Sequence, residues 1–394
     1  MRLGFYHHIS ILPKDNELFI IGHMGRFLDG LAKYCDELTV FMHESKNPDP
    51  FHDYHITSKN IRWVNMGPRR SAPFFTVFGK KYRRIVRGYL NEIDVLLLRG
   101  PSPLLPELAR LNKSIPIALL LGGDYLAGVE SLPQPFWRKT LIRVWAQHYN
   151  RSQLRVAKNC LTMVNSQKLF EELKPKLINL FETKTTTLTE NDFYWREDTC
   201  KKEPIRLLYT GRMDRAKGLL DILEAVRILV EQGLDIIFDL VGMLDPGDSV
   251  LEILMARAKE QGLSDRVQYH GYKSVGPDLF DYYKKSDIYV IASQTSFEGF
   301  PRTIWEALAH CLPVVSTKVG SIPYFLSNEE NALLVEPKSI SGLVDAISRV
   351  IKDQDLRMKI IRNGFLLPKQ NTVEIRSQEM INEIEKFVHQ WKDI

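Results

Sequence analysis

Residues 293–316 read Ser293-Gln-Thr-Ser-Phe-Glu298-Gly-Phe-Pro-Arg-Thr-Ile-Trp-Glu306-Ala-Leu-Ala-His-Cys-Leu-Pro313-Val-Val-Ser316. The apolar run before this stretch, residues 288–292, predicts a buried parallel strand. Within the stretch, apolar residues recur at helical spacing, at Ile304, Leu308 and Leu312. The sequence therefore predicts a strand, a loop and a helix, with Glu298 in the loop and Glu306 in the first or second helical turn.

The start of this helix has the features of an anion-binding site. Gly299 lets a ligand approach the backbone closely, and Pro301 suits a helix start, where its missing N–H is not needed. Free N–H groups and the positive end of the helix dipole near Arg302 favour phosphate. Because Glu298 and Glu306 are negatively charged, we expect them to accept hydrogen bonds from hydroxyl groups instead. A ligand with phosphate and hydroxyl groups is a sugar nucleotide.

The order of these residues resembles a family signature. Glu298-Gly-Phe-Pro, Glu306-Ala-Leu-Ala, Pro313-Val-Val-Ser-Thr and Gly320 are similar to the donor-site signature of retaining family-4 (group 1) glycosyltransferases of the GT-B fold. The resemblance implies that Glu298 contacts the transferred sugar and that Glu306 binds the ribose. It also implies a donor site lined by Gly299, Phe300, Pro301, Arg302 and Thr303. Cys311 and Ser321 stand where the family commonly has glycine.

A second loop carries two cations. Gly211 ends a predicted strand at 206–209, and Arg212 and Lys217 precede a predicted amphipathic helix at 219–232. Two cations at the carboxyl end of a strand indicate a dianion, for which Arg offers a planar fork and Lys a point charge. In the family that this sequence resembles, a Gly-Arg and Lys-Gly pair at this position binds the diphosphate of the donor. Surface loops are often basic, so the pattern gains weight from Glu298 and Glu306 downstream.

Two further features of the second half bear on the ligand. The loop with His270 and Tyr272 lies where the family holds the nucleobase, although a lone His beside Gly is more often structural. Asp353 and Asp355 have the carboxylate spacing of a metal-dependent transferase motif, but they follow a helical pattern, and we interpret them as a helix terminus. We therefore predict no metal and no cofactor, with the nucleotide-diphosphate sugar as co-substrate.

Length and pattern predict two domains. A chain of 394 residues is too long for one ordinary domain. Alternating strand and helix patterns predict parallel, doubly wound α/β sheets. The resemblance implies the GT-B architecture, two Rossmann-like domains facing across a cleft. We expect an acceptor-binding domain at 1–198, joined by a C-terminal crossover helix at 372–394, and a donor-binding domain at 199–371.

Loops of the first half supply further candidates. Gly22 and Gly25 open a predicted helix and could approach the donor phosphates. Asp124 follows the apolar run 117–121, near the position where the family often has a His or His-Asp close to the reacting sugar. Its alternative role is to cap a turn, as Asp often does.

Charge is unevenly distributed. Residues 1–198 hold 28 Lys and Arg against 20 Asp and Glu, whereas residues 199–394 hold 25 against 28. Part of this basic excess lies on one short helix, at Lys80, Lys81, Arg83, Arg84 and Arg87. Interleaved with apolar residues, these cations suit an interfacial helix on an anionic membrane. A solvated basic face is the commoner fate of such runs, and the donor site makes nucleic acid improbable.

The start of the chain lacks the long apolar region of a signal peptide, and no run of about 18 uncharged apolar residues occurs. We expect a cytoplasmic enzyme, peripheral on the inner face of the membrane if the basic helix docks there. The expected reaction transfers a hexosyl group, with retention and without a metal, from a nucleotide-diphosphate sugar, UDP favoured over GDP. The acceptor would be a glycan or a lipid-linked glycan of cell-surface polysaccharide or glycolipid assembly. A GT-B-type nucleotide-sugar epimerase and a non-catalytic nucleotide-sugar-binding protein remain alternatives.

Overall fold

The computed structural model describes residues 1–122, 129, 135–245, 247–295 and 299–392. The chain divides into two compact units. Unit 1 comprises residues 1–185 and 373–394, and unit 2 comprises residues 186–372.

Unit 1 is built on a mainly parallel sheet. Its strands are β1 Arg2–Lys14, β2 Glu17–Ile20, β3 Glu37–Glu44, β4 Tyr54–His55, β5 Ile61–Pro68, β6 Val95–Gly100, β7 Ile117–Leu121, β8 Leu161–Val164 and β9 Leu180–Glu182. The parallel strands lie in the order β5-β3-β1-β6-β7-β8-β9. Strand β2 pairs antiparallel with the end of β1, and β4 pairs antiparallel with β2.

Helices cover both faces of this sheet. They are α1 Gly22–Ala32, α2 Ala72–Arg87, α3 Leu105–Leu108, α4 Phe136–Ala157, α5 Gln167–Leu173 and, at the end of the chain, α13 Val373–Lys392. A 3-10 turn, Ala109–Lys113, follows α3. Phe75 and Tyr82 of α2 pack in the core on one face, whereas Leu28 of α1 and Ile384 of α13 pack in the core on the other. Unit 1 is thus doubly wound, as predicted.

Unit 2 repeats this plan with a fully parallel sheet. Its strands are β10 Ile205–Thr210, β11 Ile236–Val241, β12 Val267–Tyr269, β13 Ile288–Ile291, β14 Val314–Thr317 and β15 Leu333–Val335. Their order is β12-β11-β10-β13-β14-β15. Its helices are α6 Leu219–Glu231, α7 Val250–Glu260, α8 Pro277–Lys285, α9 Arg302–Ala309, α10 Ile322–Phe325, α11 Ile340–Lys352 and α12 Gln354–Lys369, with 3-10 turns at Glu190–Asp192 and Arg215–Lys217.

The boundary between the units lies earlier in the chain than the expected 198/199, at 185/186. The reason is that residues 186–199 bond within unit 2. The Tyr194 N–H donates to the Ala309 carbonyl at 3.0 Å. Asp198 forms a buried ion pair with Arg357 at 2.7 Å, with 4% and 5% of the two side chains exposed. Residues 186–198, which the sequence analysis placed in the first domain, are therefore part of unit 2.

Candidate functional site

Helix α9 begins where the sequence predicts. Pro301 has extended backbone angles directly before Arg302, the first helical residue, and β13 ends ten residues earlier at Ile291. The Phe300 ring packs on Trp305 at 4.1 Å between ring centroids, which fixes the loop against the helix. A side chain at Gly299 would meet no atom within 4 Å, so the loop borders open space there. Glu298 lies outside the described residues.

The Glu306 carboxylate is buried, with 3% of the residue exposed. Thr187 Oγ1 donates to its Oε1 at 2.5 Å, and the Tyr283 hydroxyl donates to its Oε2 at 2.7 Å. Tyr283 in turn accepts from Thr210 Oγ1 at 2.5 Å, since its own proton is used on Glu306. Burial and the nearby Glu306 charge raise the pKa of Tyr283, so its hydroxyl keeps its proton. Both carboxylate oxygens of Glu306 thus accept from hydroxyl groups of unit 2 itself, and its contact with a ribose stays a prediction.

Arg302 and Thr303 form the first turn of α9. Burial lowers the pKa of the Arg302 guanidinium, and the neighbouring Glu306 and Tyr272 oppose that shift. Thr303 Oγ1 accepts from the Tyr289 hydroxyl at 2.6 Å, which ties the helix start to β13. Because the ordinary pKa of Arg lies far above neutral pH, the guanidinium stays charged despite this shift.

The loop after β10 packs directly on the loop after β13. Gly218 has φ of +67°, and a Cβ there would lie 2.1 Å from the Ala292 carbonyl oxygen. The Gln294 N–H donates to the Ala216 carbonyl at 2.8 Å. These two contacts bring the Lys217 backbone beside the segment that leads to Glu298 and α9. The two loops that the sequence singled out separately are adjacent.

Close backbone packing also shapes the ends of β10 and β11. A Cβ on Gly242 would lie 1.7 Å from the Gly211 carbonyl oxygen, and one on Gly211 would lie 2.9 Å from the Tyr209 hydroxyl oxygen. Both glycines have φ near +145°, which L side chains rarely adopt. Gly242 is therefore as constrained as Gly211, although nothing in the sequence singled it out.

Arg212 carries local counter-charges. Its side chain is 56% exposed and lies 3.2 Å from Asp245 and 3.7 Å from Asp214. Asp214 Oδ1 also accepts from the Ala216 N–H at 2.8 Å, which caps the turn Arg215–Lys217. A diphosphate at this loop would compete with two carboxylates for Arg212.

The His270 side chain is engaged within unit 2. Its Nε2 lies 2.7 Å from Asp239 Oδ1, and Asp239 also pairs with Arg206 at 2.8 Å. The imidazole packs on the Tyr282 ring at 4.8 Å. These contacts are those of a structural histidine, the alternative left open by the sequence, and a role of His270 or Tyr272 in base binding stays a prediction.

The candidate residues of unit 1 lie at the start of α1. Gly22 is the first helical residue, and its N–H donates to Asp53 Oδ1 at 2.8 Å. A Cβ on Gly25 would lie 2.0 Å from the Tyr54 ring, so this glycine serves close packing. Asp124 lies outside the described residues.

The five predicted membrane-contact residues lie on α2 and differ in exposure. Lys80, Lys81, Arg84 and Arg87 are exposed. Arg83 is half-buried and forms an ion pair with Glu107 of α3 at 3.1 Å. Of the five cations, Arg83 is therefore already paired within unit 1.

Sequence reasoning missed a histidine cluster in the middle of β1 and near the end of β3. The rings of His7 and His8 stack at 4.5 Å, and His43 Nδ1 donates to the Gly67 carbonyl at 3.1 Å. Burial lowers the pKa of His8 and of His43 to about 4. The sequence signal for these histidines is that His7 and His43 each follow directly after an apolar run that forms part of a strand.

Two structural features are absent from the described residues. In that part of the chain, no group of three or more His, Cys, Asp or Glu side chains could hold a metal ion. No helix in the same part is long and apolar enough to cross a membrane. Asp353 Oδ1 accepts from the Leu356 N–H at 3.0 Å and so caps α12, which confirms the helix terminus predicted there.

Comparisons with known proteins agree with this geometry. Residues 192–366, within unit 2, match the family model of glycosyl transferases group 1. The D-inositol 3-phosphate glycosyltransferase of Corynebacterium jeikeium is 30% identical over 154 residues, 38% of this chain and 36% of that protein. The chain thus spans little more than a third of that relative. A Bacillus subtilis protein named for teichuronic acid biosynthesis, TuaC, is 26% identical over 344 residues, 78% of this chain and 80% of that protein.

Solved structures resemble the whole chain. Sucrose-phosphate synthase from Thermosynechococcus elongatus superposes with a TM-score of 0.75 at 18% identity, covering 99% of this chain and 100% of that one. Anabaena HepE in complex with UDP gives 0.73 at 17% identity, covering 98% and 100%. The chain has the GT-B fold, and the matches of its second unit support a glycosyltransferase of group 1.

Proposed function

We propose that the protein transfers a hexosyl group from a nucleotide-diphosphate sugar to a glycan or lipid-linked acceptor, in assembly of a polysaccharide or glycolipid. The observation that carries the proposal is the contact between the loops after β10 and β13. It packs the cationic Lys217 loop on residues 292–294, the segment that leads to α9, and so supports a site that combines cations with helix amides.

In the proposed step, the bond between the anomeric carbon and the diphosphate oxygen breaks, and a bond from the acceptor oxygen to that carbon forms. The nucleoside diphosphate leaves with the bonding electron pair, and the acceptor hydroxyl passes its proton to the departing diphosphate oxygen or to solvent. Lys217, Arg212 and the first amides of α9 stabilise the charge on this leaving group. A well-placed donor of this kind contributes roughly 3–4 kcal/mol. The proposal uses no metal and no cofactor.

The carboxylates have different tasks in this proposal. Glu298 orients hydroxyl groups of the transferred sugar. Glu306 already accepts from the hydroxyls of Thr187 and Tyr283, and a ribose hydroxyl is one more donor of the same kind. Retention, which rests on the family resemblance, means that the product keeps the anomeric configuration of the donor. Asp124 stays a candidate beside the reacting sugar.

We favour a UDP-sugar as donor. HepE, which shares the fold, was solved with UDP and with UDP-glucose. Its 17% identity shows the fold alone, so the preference over GDP remains part of the proposal. The base would lie at the loop of Gly271 and Tyr272, which follows β12 at the carboxyl edge of the sheet. The cytoplasmic location expected from the sequence stays a prediction.

The test follows donor consumption and product configuration by NMR, with UDP- and GDP-sugars and a panel of glycan and lipid-linked acceptors. We expect acceptor-dependent release of nucleoside diphosphate and a product of retained configuration. An isomer formed from donor alone would support the epimerase, and donor binding without turnover on any acceptor would support the binding protein. Either result would contradict the proposal.

A matched pair of variants assigns the role of Lys217. We expect Lys217→Ala to lower kcat about 100-fold or more at an unchanged melting temperature, since it removes a donor to the leaving group. Lys259→Ala, on the exposed face of α7, should leave kcat unchanged. Near-normal transfer by Lys217→Ala would overturn the assignment.

A further inference from the structure

Helices α2 and α4 of unit 1 carry cations without any carboxylate. Both helices are fully described, and their sequences contain no Asp or Glu. Their cations are Lys80, Lys81, Arg83, Arg84 and Arg87 on α2, and Arg138, Lys139, Arg143, Arg151 and Arg155 on α4. Arg83 pairs with Glu107 of α3, and Lys139 and Arg143 also interact within the chain. The many cations without a carboxylate on either helix suit a negatively charged partner.

The same two helices expose large apolar side chains. On α4, the exposed fractions are 84% for Phe136, 65% for Trp137, 62% for Leu141 and 61% for Val144. At about 100° per residue these four positions fall within an arc of about 140°, which is one face of the helix. On α2, Val77 and Phe78 are exposed as well, at 71% and 49%.

The two helices are neighbours. Thr76 of α2 and Tyr149 of α4 share a hydrogen bond of 2.6 Å between their hydroxyl groups. Val77 and Phe78 directly follow Thr76 in α2. We call the exposed apolar and cationic side chains of α2 and α4 the two-helix surface. It combines an apolar strip on α4 with cations on both helices of one unit.

Its composition selects among partners. A face that is merely solvated gains nothing from an exposed Trp, Phe and Leu, since burial of apolar area is what stabilises them. A nucleic acid or an acidic glycan would satisfy the cations and leave the aliphatic side chains in water. An anionic lipid bilayer satisfies both, because aromatic and aliphatic residues enter the headgroup and acyl boundary while Lys and Arg meet lipid phosphates.

We propose that the two-helix surface docks unit 1 on an anionic lipid bilayer, with the α4 strip inserted at the interface. This assigns α4 to a contact that the sequence predicted for α2 alone. The proposal does not depend on the glycosyl transfer proposed above, because it rests on unit 1 and its test measures binding.

The test is co-sedimentation of the full chain with vesicles of phosphatidylcholine containing phosphatidylglycerol, against phosphatidylcholine alone. We expect binding to the anionic vesicles that weakens as salt is added, since the Debye length falls to about 8 Å at physiological ionic strength. Trp137→Ser with Leu141→Ser should weaken binding about tenfold or more, because both side chains are exposed anchors. A second variant removes four cations of α2 together, by Lys80→Gln, Lys81→Gln, Arg84→Gln and Arg87→Gln. Its affinity for the anionic vesicles should fall about fivefold for each cation that contacts the membrane.

Matched controls change the same residue types at exposed positions elsewhere. Ile178→Ser with Met255→Ser controls for lost apolar surface, and glutamine at Lys174, Lys176, Lys201 and Lys202 controls for lost charge. We expect both controls to bind as the unaltered chain does. Circular dichroism and melting temperature verify that each variant folds.

A second measurement places Trp137 in the bilayer. Brominated acyl chains should quench part of the tryptophan fluorescence, and Trp137→Phe should remove that quenching while binding is retained. Equal binding to neutral and anionic vesicles, or unchanged binding in both surface variants, would overturn the proposal. So would binding of a nucleic acid or acidic glycan that depends on the cations and not on Trp137 and Leu141, in the absence of vesicle binding.

Discussion

Gly218 joins the two loops of the candidate site. Its positive φ and its contact with Ala292 leave no room for a side chain, so the Lys217 loop can approach β13 only with glycine here. The sequence shows a Lys-Gly pair, but it does not show which backbone lies against the glycine. That information comes from the pairing of β10 with β13, about 80 residues apart.

Gly218→Ala should therefore reduce both stability and turnover. The carbonyl of Ala292 would have to move, which separates the Lys217 loop from residues 292–294. Gly262→Ala is the matched control, because Gly262 has φ of +71° and no atom within 4 Å of an added Cβ. It should cost about 1 kcal/mol of stability from the backbone conformation alone, with normal turnover. If the two variants behave alike in urea unfolding and in kcat, the proposed loop contact has no functional role.

Buried histidines make the stability of the protein depend on pH. Burial lowers the pKa of His8, His43 and His310 to about 4, from an ordinary value of 6.5. As pH falls through 6.5, the unfolded chain takes up protons that the folded chain does not, so the free energy of unfolding decreases down to about pH 4. Each such histidine contributes a slope of up to about 1.4 kcal/mol per pH unit.

His43→Gln should reduce the slope of the free energy of unfolding against pH by the contribution of one histidine. This holds whatever the substitution does to stability at neutral pH. Urea unfolding from neutral pH to about pH 5 measures the slope. His389→Gln, on the last helix, is the control, and it should keep the full slope. A His43→Gln slope equal to that of the unaltered chain would show that His43 is not held neutral by burial.

At the scale of elements, strand ends and helix starts were predictable where local signals are strong. The apolar run of β13 and Pro301 before α9 marked both elements. By contrast, the apolar residues 3–6 predict only a short strand, whereas β1 extends from Arg2 to Lys14 with a register shift between Tyr6 and Ser10. Its second half pairs with β2, and histidines within it interrupt the apolar pattern on which the prediction depended.

The segment 186–199 illustrates a tertiary effect that composition hides. The sequence prediction placed nearly all of this polar segment in the first domain, yet Asp198 pairs with Arg357 in the interior of unit 2. Likewise, Thr187 reaches Glu306 across 119 positions of sequence. Such partners cannot be found from a single sequence, because nothing local marks which distant residue will complete a buried carboxylate.

Asp198→Ala should destabilise unit 2 by about 3–5 kcal/mol, because it leaves the Arg357 guanidinium buried without its partner. The neighbouring pair provides the control. Glu197 and Arg362 also lie 3.0 Å apart, but both side chains are more than half exposed, so Glu197→Ala should change stability by less than about 1 kcal/mol. Equal effects of the two substitutions in denaturant unfolding would refute the assignment of residues 186–199 to the interior of unit 2.

At the scale of the whole molecule, the two units repeat one topology and differ in surface chemistry. In each sheet the first strand lies centrally, and the order reverses beside it, at β1 in unit 1 and at β10 in unit 2. Alternating strand and helix patterns were enough to predict this doubly wound plan. The excess of cations in the first half was also visible, whereas the exposed apolar strip of α4 required the structure, because burial cannot be read from a mixed apolar and basic sequence.

The central claim is that unit 2 holds a nucleoside diphosphate between the Lys217 loop and the start of α9. Equilibrium binding of UDP, GDP and ADP, followed by calorimetry and by the shift in melting temperature, tests it most directly. We expect one nucleoside diphosphate, UDP first, to bind and to stabilise the protein by about 2.7 kcal/mol at 100 times its dissociation constant. Lys217→Ala should lose most of that stabilisation, and Lys259→Ala should keep it. If no nucleoside diphosphate binds, or if the two variants bind equally well, the site has been assigned wrongly.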